Sequence, residues 1–279
     1  MSALCRLRPK GALQLGDGGG APERTPPHIP SDTLFSAACS AWRLLFGKAS
    51  LTKLLKEFLK GKPPFTISSA FPWAGSELYF PAPRRLAKSG RWLPKARFEE
   101  ALAGRLKPLN DSPGTQPPSD GGCFFLADFA SDKVRADFEA AIRLLADEGI
   151  GGRRSVGRGL FHPPAWEEAA IASPGAFADA RCLLSMFYPK DDAEAGRLAK
   201  GWYRLKERGG FICSQDGGRG LRRRPVRLAE EGASAQGAAG LAGALVDVTP
   251  DAFKAHRVFR SGLAYSVPCV SYSQTEAAA

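Results

Sequence analysis

"CFFLADFASDKVRADFEAAIRLLADEGIGGRRSVGRGLF", residues 123–161, passes through three kinds of local order. The run 123–129 is apolar and bounded, as suits a buried strand. From Asp132 to Glu148, the residues Val134, Phe138, Ala141, Ile142 and Leu145 recur at helical spacing and predict one buried helix face. Residues 149–161 then hold five glycines and three arginines, with no acid among them. Glycine brings no side chain to a core and costs backbone entropy on folding. A dense run of it marks a place where the backbone itself must come close to something.

The stretches on either side extend the pattern. Residues 3–8 alternate and predict a first strand, followed by a Gly/Pro-rich loop over 13–30. In 31–47, Leu34, Phe35, Ala38, Trp42 and Leu45 form a stripe, Ser31 or Asp32 is placed to cap the helix, and Gly47 stops it. A short basic helix spans 50–60. Residues 65–71 and 77–81 predict a strand pair around Gly75. Residues 84–121, rich in Arg, Lys, Pro and Gly, read as an inserted mobile excursion. Residues 160–162 read as a closing strand before Pro163 and Pro164. The order is β-α-β-β-α-β, the ferredoxin-like arrangement.

A second round starts with a strand at 181–189 and a helix from 191, with Leu198, Trp202 and Leu205 facing inward. Further strands are predicted around 211–213, 224–228, 243–248 and 257–269. Gly-Arg-Gly-Leu occurs at 157–160 and again at 218–221, in agreement with a duplicated unit. The fold class is therefore α+β. A first domain is expected over 1–165, with its insertion at about 84–121, and a degenerate second over 175–279.

Composition narrows the function. The chain has 279 residues, 44% hydrophobic and 24% charged, which is globular rather than disordered. Its 39 Lys and Arg outnumber 28 Asp and Glu, for a formal charge of +11, and such a balance favours a polyanion. No apolar run is long enough to span a bilayer, and the N-terminus lacks an apolar signal core, so a cytoplasmic protein without membrane contact is expected. The six cysteines are scattered without a CxxC pair and read as reduced thiols.

The glycine loop resembles two phosphate motifs and matches neither. Arg154 stands where a dinucleotide fingerprint needs its third glycine, and Arg158 and Gly159 replace the lysine and hydroxyl of a P-loop. Both motifs run from strand to helix, whereas this loop leaves a helix. Glycines let backbone N–H groups turn toward an anion. Arg153, Arg154 and Arg158 add planar donor forks matched to phosphate. Several arginines along one loop suit a repeating polyanion; the plain alternative is a solvated turn capping a helix C-terminus. A second basic stretch, 217–228, contains Arg219, Arg222 and Arg223, and its plain alternative is an edge strand guarded by charge. Phe71, Trp73 and Tyr79 are candidates for base stacking or for the core. No cluster has metal-ligand spacing and no nucleophile motif is present, so neither a metal, a cofactor nor a catalytic residue is expected. His28 and His162 are the candidates for acid or base if the chain cleaves RNA.

Several blocks carry a family resemblance: LQLGDG, IPSDTLFSAACSAW, ISSAFP with LYFPAP, GIGGRRSVGRGLF, LLSMFYP, RGGFICS, RRRPVRLAEEGA and VFRSGLAYSVP. Together they resemble the RAMP-superfamily 5′-handle-binding subunit of type III-A CRISPR effectors, subunit four of the Csm complex. The match runs nearly end to end and is weakest over 84–121. The resemblance implies two ferredoxin-like (RRM-like) halves, with the insertion as a thumb-like segment. It implies a non-catalytic, antiviral role: holding the repeat-derived 5′ handle of the CRISPR RNA and linking the large polymerase-like subunit to the backbone subunits. On these positions, Gly151, Gly152, Arg153, Arg154, Ser155, Gly157 and Arg158 would contact the handle, with Gly18 and Ser31 nearby. The rival reading within the same superfamily is a metal-independent repeat endoribonuclease.

Overall fold

A computed structural model describes residues 2–11, 13, 15, 28–87, 92–107, 121–151, 157–214, 216–217 and 220–271. The chain's first strand, β1 (Ser2–Leu7), leads to α1 (Ser31–Leu59). Next come β2 (Phe65–Ile67), β3 (Phe71–Ala74), β4 (Glu77–Pro81), β5 (Trp92–Pro94) and α2 (Lys95–Leu102). The strand and helix of the quoted stretch are β6 (Gly122–Phe129) and α3 (Asp132–Glu148), and β7 (Ala165–Ala169) follows.

These seven strands make one antiparallel sheet, ordered β5-β4-β3-β6-β1-β7, with β2 also on β6. Cys5 stands opposite both Phe125 and Trp166, which fixes the register at the sheet centre. Alternation along the two central strands divides their side chains between two cores. Cys5, Leu7, Phe125 and Ala127 face α1 and α3, where Phe35, Phe58, Phe65 and Phe138 meet. Leu4, Phe124 and Leu126 face the other way, toward α2 and the C-terminal strands.

Those C-terminal strands are β8 (Ala180–Leu183), β9 (Leu205–Arg208), β10 (Val226–Ala229), β11 (Ser234–Gln236), β12 (Gly243–Asp247), β13 (Phe259–Leu263) and β14 (Ser266–Cys269), with α4 (Asp192–Ala199) after β8. They form three small antiparallel sheets: β11-β8-β14, β9-β10 and β12-β13. Ala180, Cys182, Tyr265 and Cys269 belong to the same buried cluster as Leu4, Phe71 and Phe124, so both parts of the chain share the second core.

Several sequence expectations are corrected. The 65–71 strand is split, because Ser68 and Ser69 turn their amides to Leu126 and Leu184. The 84–121 excursion contains β5 and α2, whose Phe98 is fully buried and stacks on Phe80 at 4.7 Å. The strand expected at 160–162 lies instead after the prolines, as β7. The helix after Asp191 ends at Ala199, and the chain then passes so close to Ser234 that a Cβ on Gly201 would meet its carbonyl oxygen at 2.0 Å. Leu205 therefore sits exposed in β9. Neither Ser31 nor Asp32 caps α1 by its side chain; both reach across to the C-terminal part. The break at Gly47 stands as read, with φ 81° between two helical runs.

Candidate nucleic-acid interface

The glycine-arginine loop springs from a closed neck. Gly149 ends α3 with φ 81° and returns its amide to the Leu145 carbonyl at 2.8 Å. One residue on, the Ile150 amide donates to the Gly159 carbonyl at 2.9 Å. A Cβ on Gly159 would stand 2.1 Å from the Ile150 carbonyl oxygen, so only glycine closes this neck. The far side is tied to the first strand's exit: Lys10 donates to the Leu160 carbonyl at 2.9 Å, and His162 to that of Arg8 at 2.8 Å.

Two of the five glycines thus serve the neck. Gly151 (φ 97°) and Gly157 (φ 78°) stand exposed on the loop, and a Cβ on Gly157 would meet nothing. Arg158 is half-buried beside them. Gly152, Arg153, Arg154 and Ser155 lie outside the described residues, as do Gly18 and Arg219.

The second basic stretch extends the β9–β10 hairpin. Bridges at Phe211–Arg222 and Ser214–Gly217 continue the pairing beyond the strands. Arg222 lies over the Phe211 ring at 5.3 Å, and both are exposed. Arg223 turns inward and donates to the Phe211 carbonyl at 3.0 Å. Burial lowers the Arg223 pKa, and the nearby Arg260 charge lowers it further. The local run has no acid, yet the fold supplies them: Arg224 meets Asp251 at 2.5 Å and Arg227 meets Glu207 at 3.8 Å.

This hairpin lies along α1 and is held at two points. At the base, fully buried Asp32 takes two bonds from Arg208, at 3.0 and 3.1 Å, and one from buried Arg260. At the tip, Asp216 takes a forked pair from Arg43 at 2.7 and 2.9 Å, with Lys48 at 3.2 Å. Those bonds hold the Asp216 carboxyl well below the usual aspartate range. Ser31 is buried too. Its hydroxyl accepts from the Met186 amide at 2.9 Å, and its own amide donates to Ser69 Oγ at 2.8 Å, so its side chain braces the two parts of the chain. Sequence reasoning missed Asp32, Arg208 and Arg260 as a unit, since the partners are up to 228 positions apart. Among the stacking candidates, Phe71 is fully buried, and Trp73 is half-buried under the Arg6 guanidinium at 5.1 Å. Among the described residues, no group of three or more His, Cys, Asp or Glu side chains is placed to hold a metal.

Residues 177–269, which include the whole hairpin and Arg260, match the model of the CRISPR Csm4 C-terminal domain. The chain carries a Csm4 C-terminal domain. A protein of Thermococcus onnurineus (strain NA1), described as CRISPR system Cms protein Csm4, is 28% identical over 237 residues, covering 66% of this chain and 79% of the relative. A chain of the Csm3-Csm4 subcomplex of the type III-A CRISPR-Cas interference complex superposes with a TM-score of 0.67 at 16% identity, over 96% of this chain and 99% of the other. A chain of the Csm1-Csm4 cassette in complex with cA3 gives 0.65 at 20% identity, over 98% and 99%. Together these findings support a Csm4 subunit, the resemblance first read from the residues. The mixed α/β architecture with antiparallel sheets matches that of the Csm4 structures.

Proposed function

We propose that this chain is a non-catalytic subunit of a type III-A CRISPR RNA-guided effector complex, where it holds the 5′ repeat-derived handle of the CRISPR RNA. The carrying observation is the closed neck at the end of α3, which leaves Gly151 and Gly157 exposed beside Arg158, within a stretch whose sequence is rich in glycine and arginine. Glycine backbone admits a bent single strand closely, and guanidinium groups hold its phosphates. Gly151, Gly152, Arg153, Arg154, Ser155, Gly157 and Arg158 are the contacts of this reading, with Arg222 and Arg219 from the hairpin.

In this role the chain links a polymerase-like large subunit to a backbone subunit. The support is that similar chains occur in a Csm1-Csm4 cassette and a Csm3-Csm4 subcomplex. The frame is read as two ferredoxin-like units, 1–165 and 175–279. The order β7-β1-β6-β3 in the first unit supports this, with the loop at one end of that sheet. A cytoplasmic site of action accords with the lack, among the described residues, of a helix long and apolar enough to cross a membrane. The rival ribonuclease reading has thinner support: His162 is exposed, and His28 leans on Glu231 at 3.7 Å in a separate cavity.

Replacing Arg153, Arg154 and Arg158 together with alanine tests the handle reading. Binding of handle RNA should weaken, and its log–log salt dependence should flatten by about 0.7 per lost phosphate contact. Unchanged affinity and slope would overturn it.

A further inference from the structure

A cavity of 140 Å³ lies between β4 and β5 on one side and the turn after β10 on the other, and none of the described residues of 149–161 or 217–228 lines it. Its walls are ordered by charge. Glu231 is buried at the inner end, with its carboxylate accepting from Ser69 Oγ and standing 3.7 Å from His28 Nε2. The Trp92 ring supplies flat apolar surface, with fully buried Phe71 packed behind it at 6.1 Å. Arg204 stands at the rim with its side chain 60% exposed and is held only loosely, 3.7 Å from a Glu230 carboxylate that Arg84 already pairs at 2.8 Å. The His28 ring meets Trp92 edge to face at 5.5 Å, and its Nδ1 is buried without a hydrogen-bond partner. Buried polar nitrogens are normally paired.

We propose that this cavity takes one nucleobase bearing an exocyclic amino group, with its ring against Trp92, its amine toward Glu231 and its phosphate on Arg204. The order of groups selects this ligand. A simple anion would face the Glu231 carboxylate, and a simple cation would face Arg84 and Arg204. An aminated nucleotide carries donors at one end and negative charge at the other, with a flat ring between that suits an aromatic wall. Uracil presents carbonyl oxygens where adenine or cytosine presents the amine, and two acceptors facing each other are left unpaired. A free nucleotide and a base splayed from an RNA strand offer the same chemistry; only the second source rests on the RNA reading above.

The full chain is titrated calorimetrically with AMP, UMP and adenosine. AMP should saturate at no higher than millimolar concentration and bind about tenfold more tightly than UMP. Glu231→Gln should reduce that discrimination to about twofold. Because Glu231 is buried and its variant can fail to fold, Arg204→Ala at the exposed rim gives an independent reading. It should weaken AMP about fivefold while leaving adenosine unchanged. An oligouridine carrying one adenosine, compared with plain oligouridine, separates the sources: a gain lost in Trp92→Leu assigns an in-strand base, and AMP binding without that gain assigns a free nucleotide. Equal binding of AMP and UMP, no saturation, or indifference of AMP to Arg204→Ala would overturn the proposal. The triple arginine variant of the glycine loop should still bind AMP, so failure of the cavity and failure of the loop are told apart.

Discussion

Gly159 and Gly157 sit two positions apart, both with positive φ, and have opposite surroundings. A methyl group on Gly159 collides with the Ile150 carbonyl, whereas on Gly157 it enters open space. Gly159→Ala should therefore destabilise the fold by about 2–3 kcal/mol, backbone strain and steric displacement together. Gly157→Ala should cost about 1 kcal/mol through its left-handed backbone alone. Chemical denaturation of the two variants checks the difference. Asp32 makes a larger demand. Asp32→Ala leaves Arg208 and Arg260 buried without their carboxylate, an expected loss of about 3–5 kcal/mol on the same measurement. Glu231 carries a pH signature. Burial raises its pKa, but the nearby His28 charge and the hydrogen bond from Ser69 outweigh that and bring it to about 2, from an ordinary 4.5. A depressed acid adds stability above its unfolded value and loses it as pH falls. The wild-type denaturation midpoint should thus drop between about pH 4.5 and pH 2, and Glu231→Gln should flatten that decline.

The β9–β10 hairpin is the element with the most to gain or lose from one contact. Asp216 pins its tip to α1 through Arg43 and Lys48. Asp216→Ala should leave the core intact and raise amide exchange in 211–222, measured by hydrogen–deuterium mass spectrometry. Elements with long, uninterrupted periodicity were legible in the sequence: α3 runs as read, with Ser131 capping it, and α1 breaks at Gly47. The helix expected through Leu205 failed because Leu198, Trp202 and Leu205 mimic helical spacing across a turn that Gly201 makes possible. In 84–121, the prolines and arginines masked Phe98 and Leu102, which are one helical turn apart and both buried. The glycine loop was visible because composition alone marks it. The Asp32 cluster was not, since no local pattern announces three residues that folding alone brings together.

At the scale of the whole molecule, the sheet has one face closed by α1 and α3 and another closed by α2 together with the chain's last hundred or so residues. Leu4, Phe71 and Phe124 pack in one cluster with Cys182, Tyr265 and Cys269, and the Tyr265 hydroxyl donates to Ser2 Oγ at 2.8 Å. A fragment ending near residue 170 should keep sheet and helix content by circular dichroism, bind a hydrophobic dye and self-associate. A monomeric, dye-silent fragment would show the two units to be independent.

Synthesis runs in one direction, and this shared core makes the order of events matter. The nascent N-terminal sheet leaves the ribosome with one greasy side covered only in part, by α2, and that cover is complete only when Cys269 has emerged. Chaperone demand during translation is thus written into where the covering strands sit in the gene.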